Sequence, residues 1–204
     1  NSFVPSDKYF DSLNKELNNY LSVTNLNISN LKNIYIENLN KIELLLQNDL
    51  SENYEIKFGH YGSFFSGLSI EGSDLDILIY YRKKKEECDF GEDILNLLQQ
   101  NGNEFESIFP ILTASVPVIK LEVNIKNEIK DLKLKNTSYF EEEDLYKINI
   151  DLTFTENEQE FQNSHETVSF INKSLSEYPQ IKPMVLLLKR YFKEMKMNKN
   201  YTGG

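Results

Sequence analysis

Gly62-Ser63-Phe64-Phe65-Ser66-Gly67-Leu68-Ser69-Ile70-Glu71-Gly72-Ser73-Asp74-Leu75-Asp76-Ile77-Leu78-Ile79 decides the reading of this chain. It joins a Gly-Ser turn to a strand that carries aspartate on two alternate positions. Side chains two apart on a strand share one face. Asp74 and Asp76 therefore point the same way, while Leu75, Ile77 and Ile79 enter the core. Two adjacent carboxylates repel each other unless a cation sits between them or one takes up a proton. The spacing predicts a divalent-metal site facing a phosphate pocket.

Outward from this block, Tyr54–Tyr61 reads as the strand that delivers the chain to Gly62, and Leu75–Tyr81 as the strand that leaves. Asp93–Gln100 reads as a short helix stopped by Asn101-Gly102. Ser115–Val123 and Lys147–Phe154 read as strands. In the second, Ile148, Ile150, Leu152 and Phe154 share one face, and Asn149, Asp151 and Thr153 the other. The Lys/Glu-rich stretch between them, Asn124–Tyr146, reads as a hairpin extension or surface excursion. Two helices are expected at the start: Phe10–Val23, then Leu31–Leu50 with Ser29 or Asn30 as N-cap. Glu166–Tyr178 and Pro183–Met197 close the chain as helices, the latter with proline in its first turn. The expected class is α+β, a mixed-sheet lobe beside a helical lobe built from both chain ends. The division that follows is 1–52, 53–163 and 164–204.

Composition narrows the partners. With 22 Lys and Arg against 32 Asp and Glu, the net charge is −10. That argues against broad, sequence-independent clamping of nucleic acid; an RNA substrate would be held at its end, with extended binding supplied by a missing segment or a protein partner. The single cysteine, Cys88, excludes an internal disulfide and fits a reducing, intracellular compartment, nucleus or cytoplasm being undecided. No apolar run approaches a membrane span and no signal peptide opens the chain, so no membrane is expected.

Nucleotidyl transfer requires in-line attack of a hydroxyl on an α-phosphate, and two metals about 3.5–4 Å apart can serve both the attacking and leaving oxygens. Three carboxylates are the usual minimum to hold such a pair. Asp74 and Asp76 supply two, and Asp151, the acid on the polar face of its strand, fits as the third. Gly62 allows close backbone approach to a phosphate, and Ser63 offers a hydroxyl and an amide at the start of a short helix, Ser63–Gly67. Lys189 and Lys193, four apart on one helix face, would neutralise β- and γ-phosphates.

These residues resemble the terminal RNA nucleotidyltransferases of the DNA polymerase β superfamily, the atypical poly(A) polymerases and terminal uridylyltransferases. Gly62–Ile79 resembles the family's Gly-Ser…Ser-Asp-h-Asp-h signature, where h is apolar. Ala114–Lys120 and Ile150–Phe154 resemble the strand before the third carboxylate and that carboxylate's own strand. Ile181–Phe192 with Thr202-Gly203-Gly204 looks like the family's helix and the start of its next motif. The resemblance implies a polymerase-β-like fold and template-free addition of nucleotides to an RNA 3′ end. It implies two Mg²⁺ or Mn²⁺ ions on Asp74, Asp76 and Asp151, with Asp151 helping to deprotonate the primer hydroxyl. The triphosphate, from ATP or UTP with adenylyl transfer slightly favoured, would meet Ser63, Lys189 and Lys193. The ribose would meet Thr167, with Asn163 the nearest alternative and His165 a bystander. Three features depart from the family's pattern: the longer Asn124–Tyr146 segment, the acidic link Glu156–Glu160, and a helical lobe that the family continues past Gly204. Two alternatives remain: a non-catalytic scaffolding subunit that keeps the fold, or transfer to a non-RNA acceptor.

Overall fold

The computed structural model describes residues 7–135 and 143–197. Thr202-Gly203-Gly204 and the middle of the 124–146 segment lie outside the described residues. Five strands form one mixed sheet in the order β1-β2-β5-β4-β3: β1 Tyr54–Tyr61, β2 Leu75–Lys83, β3 Ser107–Ile111, β4 Val118–Asn124 and β5 Lys147–Thr155. Only the β2–β5 pair is parallel; the other three are antiparallel.

Alternation along β2 and β5 separates two faces. Leu75, Ile77 and Ile79 on β2, and Ile148, Ile150 and Leu152 on β5, are buried. On this face Tyr81 stacks on Phe90, ring centroids 4.0 Å apart, and Phe154 meets the same ring edge-on. Phe90 opens α3 (Phe90–Gln100), whose N-terminus is capped by Asp89 accepting from the Glu92 amide. The opposite face carries Asp76 and Asp151. Beyond them Tyr80 meets Phe161 of α5 (Glu158–Glu177), ring centroids 5.8 Å apart. The sheet thus gives one face wholly to the core, while the other carries the aspartates beside the buried Leu78 and Tyr80.

Three expectations need correction. The N-terminal segment is one helix, α1 Asp7–Leu50, 44 residues long, or about 66 Å at 1.5 Å per residue. The patch Thr24–Asn30 that reads as a break contains no glycine or proline, and its polar side chains serve tertiary bonds instead of a cap. Thr24 and Asn27 are buried and donate to Glu71, at 3.1 and 3.3 Å. The apolar stripe from Leu31 to Leu50 joins the same core as the strands. Second, α5 starts at Glu158, so most of the acidic stretch read as a link is the helix's first turn, capped by Asn157. Acids there suit the helix dipole. Third, Ser107–Ile111, which the sequence reading left unassigned, is β3, although it contains Pro110. β3 is an edge strand, where a missing N–H is tolerated.

The 124–146 segment is more than a surface excursion. Ile125 and Ile129 are buried, and the Ile125 amide donates to the Tyr146 carbonyl at 2.8 Å, next to the one-turn helix α4 (Glu143–Tyr146). The last described helix is α6, Ile181–Glu194. Among the described residues, no helix is long and apolar enough to cross a membrane.

Candidate active site

The strand registry assembles the acidic centre. Asp76 on β2 stands opposite Asp151 on β5 in the parallel pair, and Asp74 precedes β2 by one residue. The turn that feeds β2 explains the glycine at 62. Gly62 has φ +76°, and a Cβ there would overlap the Asp76 carboxylate. The sequence reading gave this glycine to a phosphate; the structure gives it to a carboxylate. It opens α2 (Gly62–Phe65), a single turn stabilised when the Ser66 hydroxyl donates to the Gly62 carbonyl at 2.9 Å.

A cavity of about 640 Å³ opens over this centre, lined among others by Ser63, Ser73, Asp74, Asp76, Lys189 and Lys193. The lysines come from successive turns of α6, and both hold the loop before β2. Lys189 Nζ donates to the Leu68 carbonyl at 3.1 Å, and Lys193 Nζ to the Glu71 carbonyl at 2.9 Å. Lys193 also pairs with Asp144 at 2.7 Å. Gly72, φ +70°, makes room for that pair, since a Cβ there would sit 2.5 Å from both its charged atoms. Thr167 does not line the cavity; its hydroxyl donates to the Asn163 carbonyl within α5 at 2.8 Å.

The electrostatics have the sign of a cation site. Burial, then the charges of Asp151 and Asp74, push the Asp76 carboxyl up to about 7. Asp74 is open to solvent, yet crowding by protein and the charge of Asp151 still raise its pKa, against the pull of Lys120 and a hydrogen bond with Asn149. Burial lowers the Lys189 pKa, against the attraction of Asp76 and Asp74. Clustered hard oxygen donors that resist ionising together are the donor set that Mg²⁺ or Mn²⁺ takes. Among the described residues, no three acidic, His or Cys groups already stand in ligand geometry. On the β4 side, the Lys120 ammonium pairs directly with Asp151 Oδ2. The residues fit the ions in the chemistry of their donors, and the strand registry sets Asp76 and Asp151 side by side.

Sequence reading missed Lys120, Asn149, Glu71 and Asp144. For Lys120 the signal was present: Ile119, Leu121 and Val123 face the core, which places Lys120 on the face of Asp151. The other three depend on contacts between elements far apart in the chain.

A mixed sheet with paired aspartates on one face, a Gly-Ser turn against them and basic residues from a flanking helix define the polymerase-β-like nucleotidyltransferase fold. Solved structures of this class match it at low identity. A Cid1 poly(U) polymerase structure, with Mg and 3′-dATP bound, superposes with TM-score 0.62 at 20% identity, over 97% of this chain and 51% of that one. A cytoplasmic RNA terminal U-transferase gives TM-score 0.57 at 20% identity, over 93% and 48%. The GLD-2/RNP-8 complex gives 0.62 at 16%, over 95% and 52%. The chain therefore spans about half the length of these solved structures. A search of curated proteins finds no match. Residues 13–165 match the central palm domain of the mitochondrial-like poly(A) RNA polymerases, and the chain belongs to that family.

Proposed function

We propose that this chain carries the catalytic centre of a template-independent RNA 3′-terminal nucleotidyltransferase, adenylyl transfer being slightly favoured over uridylyl. One observation carries the reading: Asp76 and Asp151 face each other across β2 and β5, and Asp76 lines, with Asp74, a cavity flanked by two lysines. Divalent ions held by Asp74, Asp76 and Asp151 would supply charge neutralisation at the α-phosphate and the attacking oxygen. The chain's own residues would do the rest. Ser63 at the cavity wall offers its hydroxyl and amide to the triphosphate. Lys189 and Lys193 neutralise the leaving phosphates and, through Leu68 and Glu71, hold the loop that sets Asp74. Asp151 would accept the proton of the primer 3′-hydroxyl. Ribose contact by Thr167 would require a rotamer that releases the Asn163 carbonyl.

The relatives support the cofactor and the partners by analogy: one solved Cid1 structure holds Mg and a nucleotide, another a short ApU product, and GLD-2 is solved with RNP-8. An RNA 3′ end and a protein partner are proposed here on that basis. The division into 1–52, 53–163 and 164–204 belongs to the same proposal, with α6 approaching the palm from the helical side.

Primer extension tests the reading. Intact protein, labelled single-stranded RNA and Mg²⁺ or Mn²⁺ are incubated with each nucleoside triphosphate separately. The expected result is a ladder with ATP, reduced about 10²–10³-fold by Asp74→Ala or Asp151→Ala, the scale of losing a charge-stabilising group at the reacting centre. A ladder that survives both substitutions would refute the assignment. No ladder from folded protein with any triphosphate favours the scaffolding reading, and nucleotide incorporated elsewhere than on RNA the non-RNA acceptor.

A further inference from the structure

Lys120, Asp151 and Asp76 form one row across three strands. Lys120 on β4 is the register partner of Asp151 on β5, which is the register partner of Asp76 on β2. All three lie on the sheet face opposite Leu75, Ile77, Ile150 and Leu152. The lysine ammonium rests on Asp151 Oδ2, and the two partners differ in access: the side chain of Lys120 is 44% exposed and that of Asp151 17%. The carboxylate is fixed in the sheet, whereas the ammonium, on a four-carbon stem, has a route out.

An ammonium and a divalent ion compete for that carboxylate: each claims lone pairs on it, and two cations within a few ångströms repel strongly where solvent is thin. We propose that Lys120 is the resident counter-cation of Asp151, a positioning residue that a divalent ion must displace when it enters the aspartate site. This rests on the reading of Asp74, Asp76 and Asp151 as the metal carboxylates. While paired, Lys120 offsets part of the repulsion among the three acids. Once displaced, it stands at the cleft on the β4 side, opposite the lysines of α6. Metal entry and the freeing of Lys120 are then a single exchange of one cation for another.

The test is a Mn²⁺ titration of intact protein without nucleotide, following free Mn²⁺ by electron paramagnetic resonance. Lys120→Met removes the competitor and should bind Mn²⁺ about five- to tenfold more tightly than wild type. Lys120→Arg, which can grip the carboxylate through two parallel bonds, should bind more weakly. In metal-free buffer Lys120→Met should melt below wild type, with the larger gain on adding Mn²⁺. If Lys120→Met does not fold by circular dichroism, Lys120→Gln is read against the same expectation. Equal or weaker Mn²⁺ binding by the neutral variant overturns the exchange and makes Lys120 a support for the metal ligand. Wild-type protein that binds no Mn²⁺, or whose binding survives Asp74→Ala, overturns the metal-carboxylate reading itself.

Discussion

Asp76 shows how a functional side chain can be held against its own stability. It is half-buried, faces Asp151, and has Gly62 folded over it with no room for a Cβ. Its carboxyl, pushed up to about 7, binds a proton in the folded chain at pH values where the unfolded chain has released it. The folded state therefore holds more protons between roughly pH 4 and 7, so its stability falls as pH rises through that window. The penalty is complete above the folded pKa and absent below the unfolded one. In divalent-free buffer, Asp76→Asn should melt above wild type at pH 8, and the advantage should vanish near pH 4. With solvent screening allowed for, the gain is on the order of 1–2 kcal/mol, and each kcal/mol is about 2–4 °C in a chain of this size. Thermal melts across pH, with chelator present, check it. A melting difference that grows toward acid would contradict the sign.

At the scale of elements, α1 is held to the catalytic loop by a polar joint. Glu71 is 1% exposed and is met by Thr24 and Asn27, while its carbonyl accepts from Lys193. Asn27 also bonds Lys135 in both directions, its Nδ2 to the carbonyl at 3.0 Å and its Oδ1 to the amide at 2.9 Å. One asparagine thus ties α1, the loop before β2 and the 124–146 segment together. Asn27→Leu should cost about 1–3 kcal/mol, because it strands buried acceptors. The double variant Asn27→Leu with Glu71→Met should cost less than the sum of its parts, measured by urea unfolding. This joint also marks the limit of sequence reading. Local pattern disclosed β2, β5 and the three aspartates, since alternation and Asp spacing are written in consecutive residues. It misread Thr24–Asn30 as a helix boundary, since Ser, Thr and Asn signal caps wherever their partner is distant. It missed β3, since the edge position that excuses Pro110 follows from the order of the strands. Lys120 fell between these cases, legible as a face but not as a partner.

At the scale of the whole molecule, the acidic balance of the chain and the two lysines at the cavity pull in opposite directions. The chain carries −10 overall, yet Lys189 and Lys193 line the cavity, and Lys120 adjoins Asp151. Exposed apolar side chains on α5 and α6, Phe170, Leu188 and Tyr191 among them, add no charge for a phosphate backbone. On the proposed function, an RNA strand would meet net repulsion from a chain of this charge and find its cations at the cleft, so the expectation is that the terminal nucleotides are the ones neutralised. Each phosphate neutralised on a single strand contributes about −0.7 to the slope of log affinity against log salt, so two or three contacts give about −1.4 to −2.1. Fluorescence anisotropy of a labelled single-stranded RNA on this chain, between about 50 and 200 mM salt, measures that slope. The expected value lies in that shallow range and does not change when the RNA is lengthened at its 5′ end. A slope that steepens with RNA length would mean that a cationic track runs beyond the cleft. The net charge would then be a poor guide to where the strand lies. A shallow slope independent of length would assign extended RNA binding to a partner, and leave this chain with the 3′ end alone.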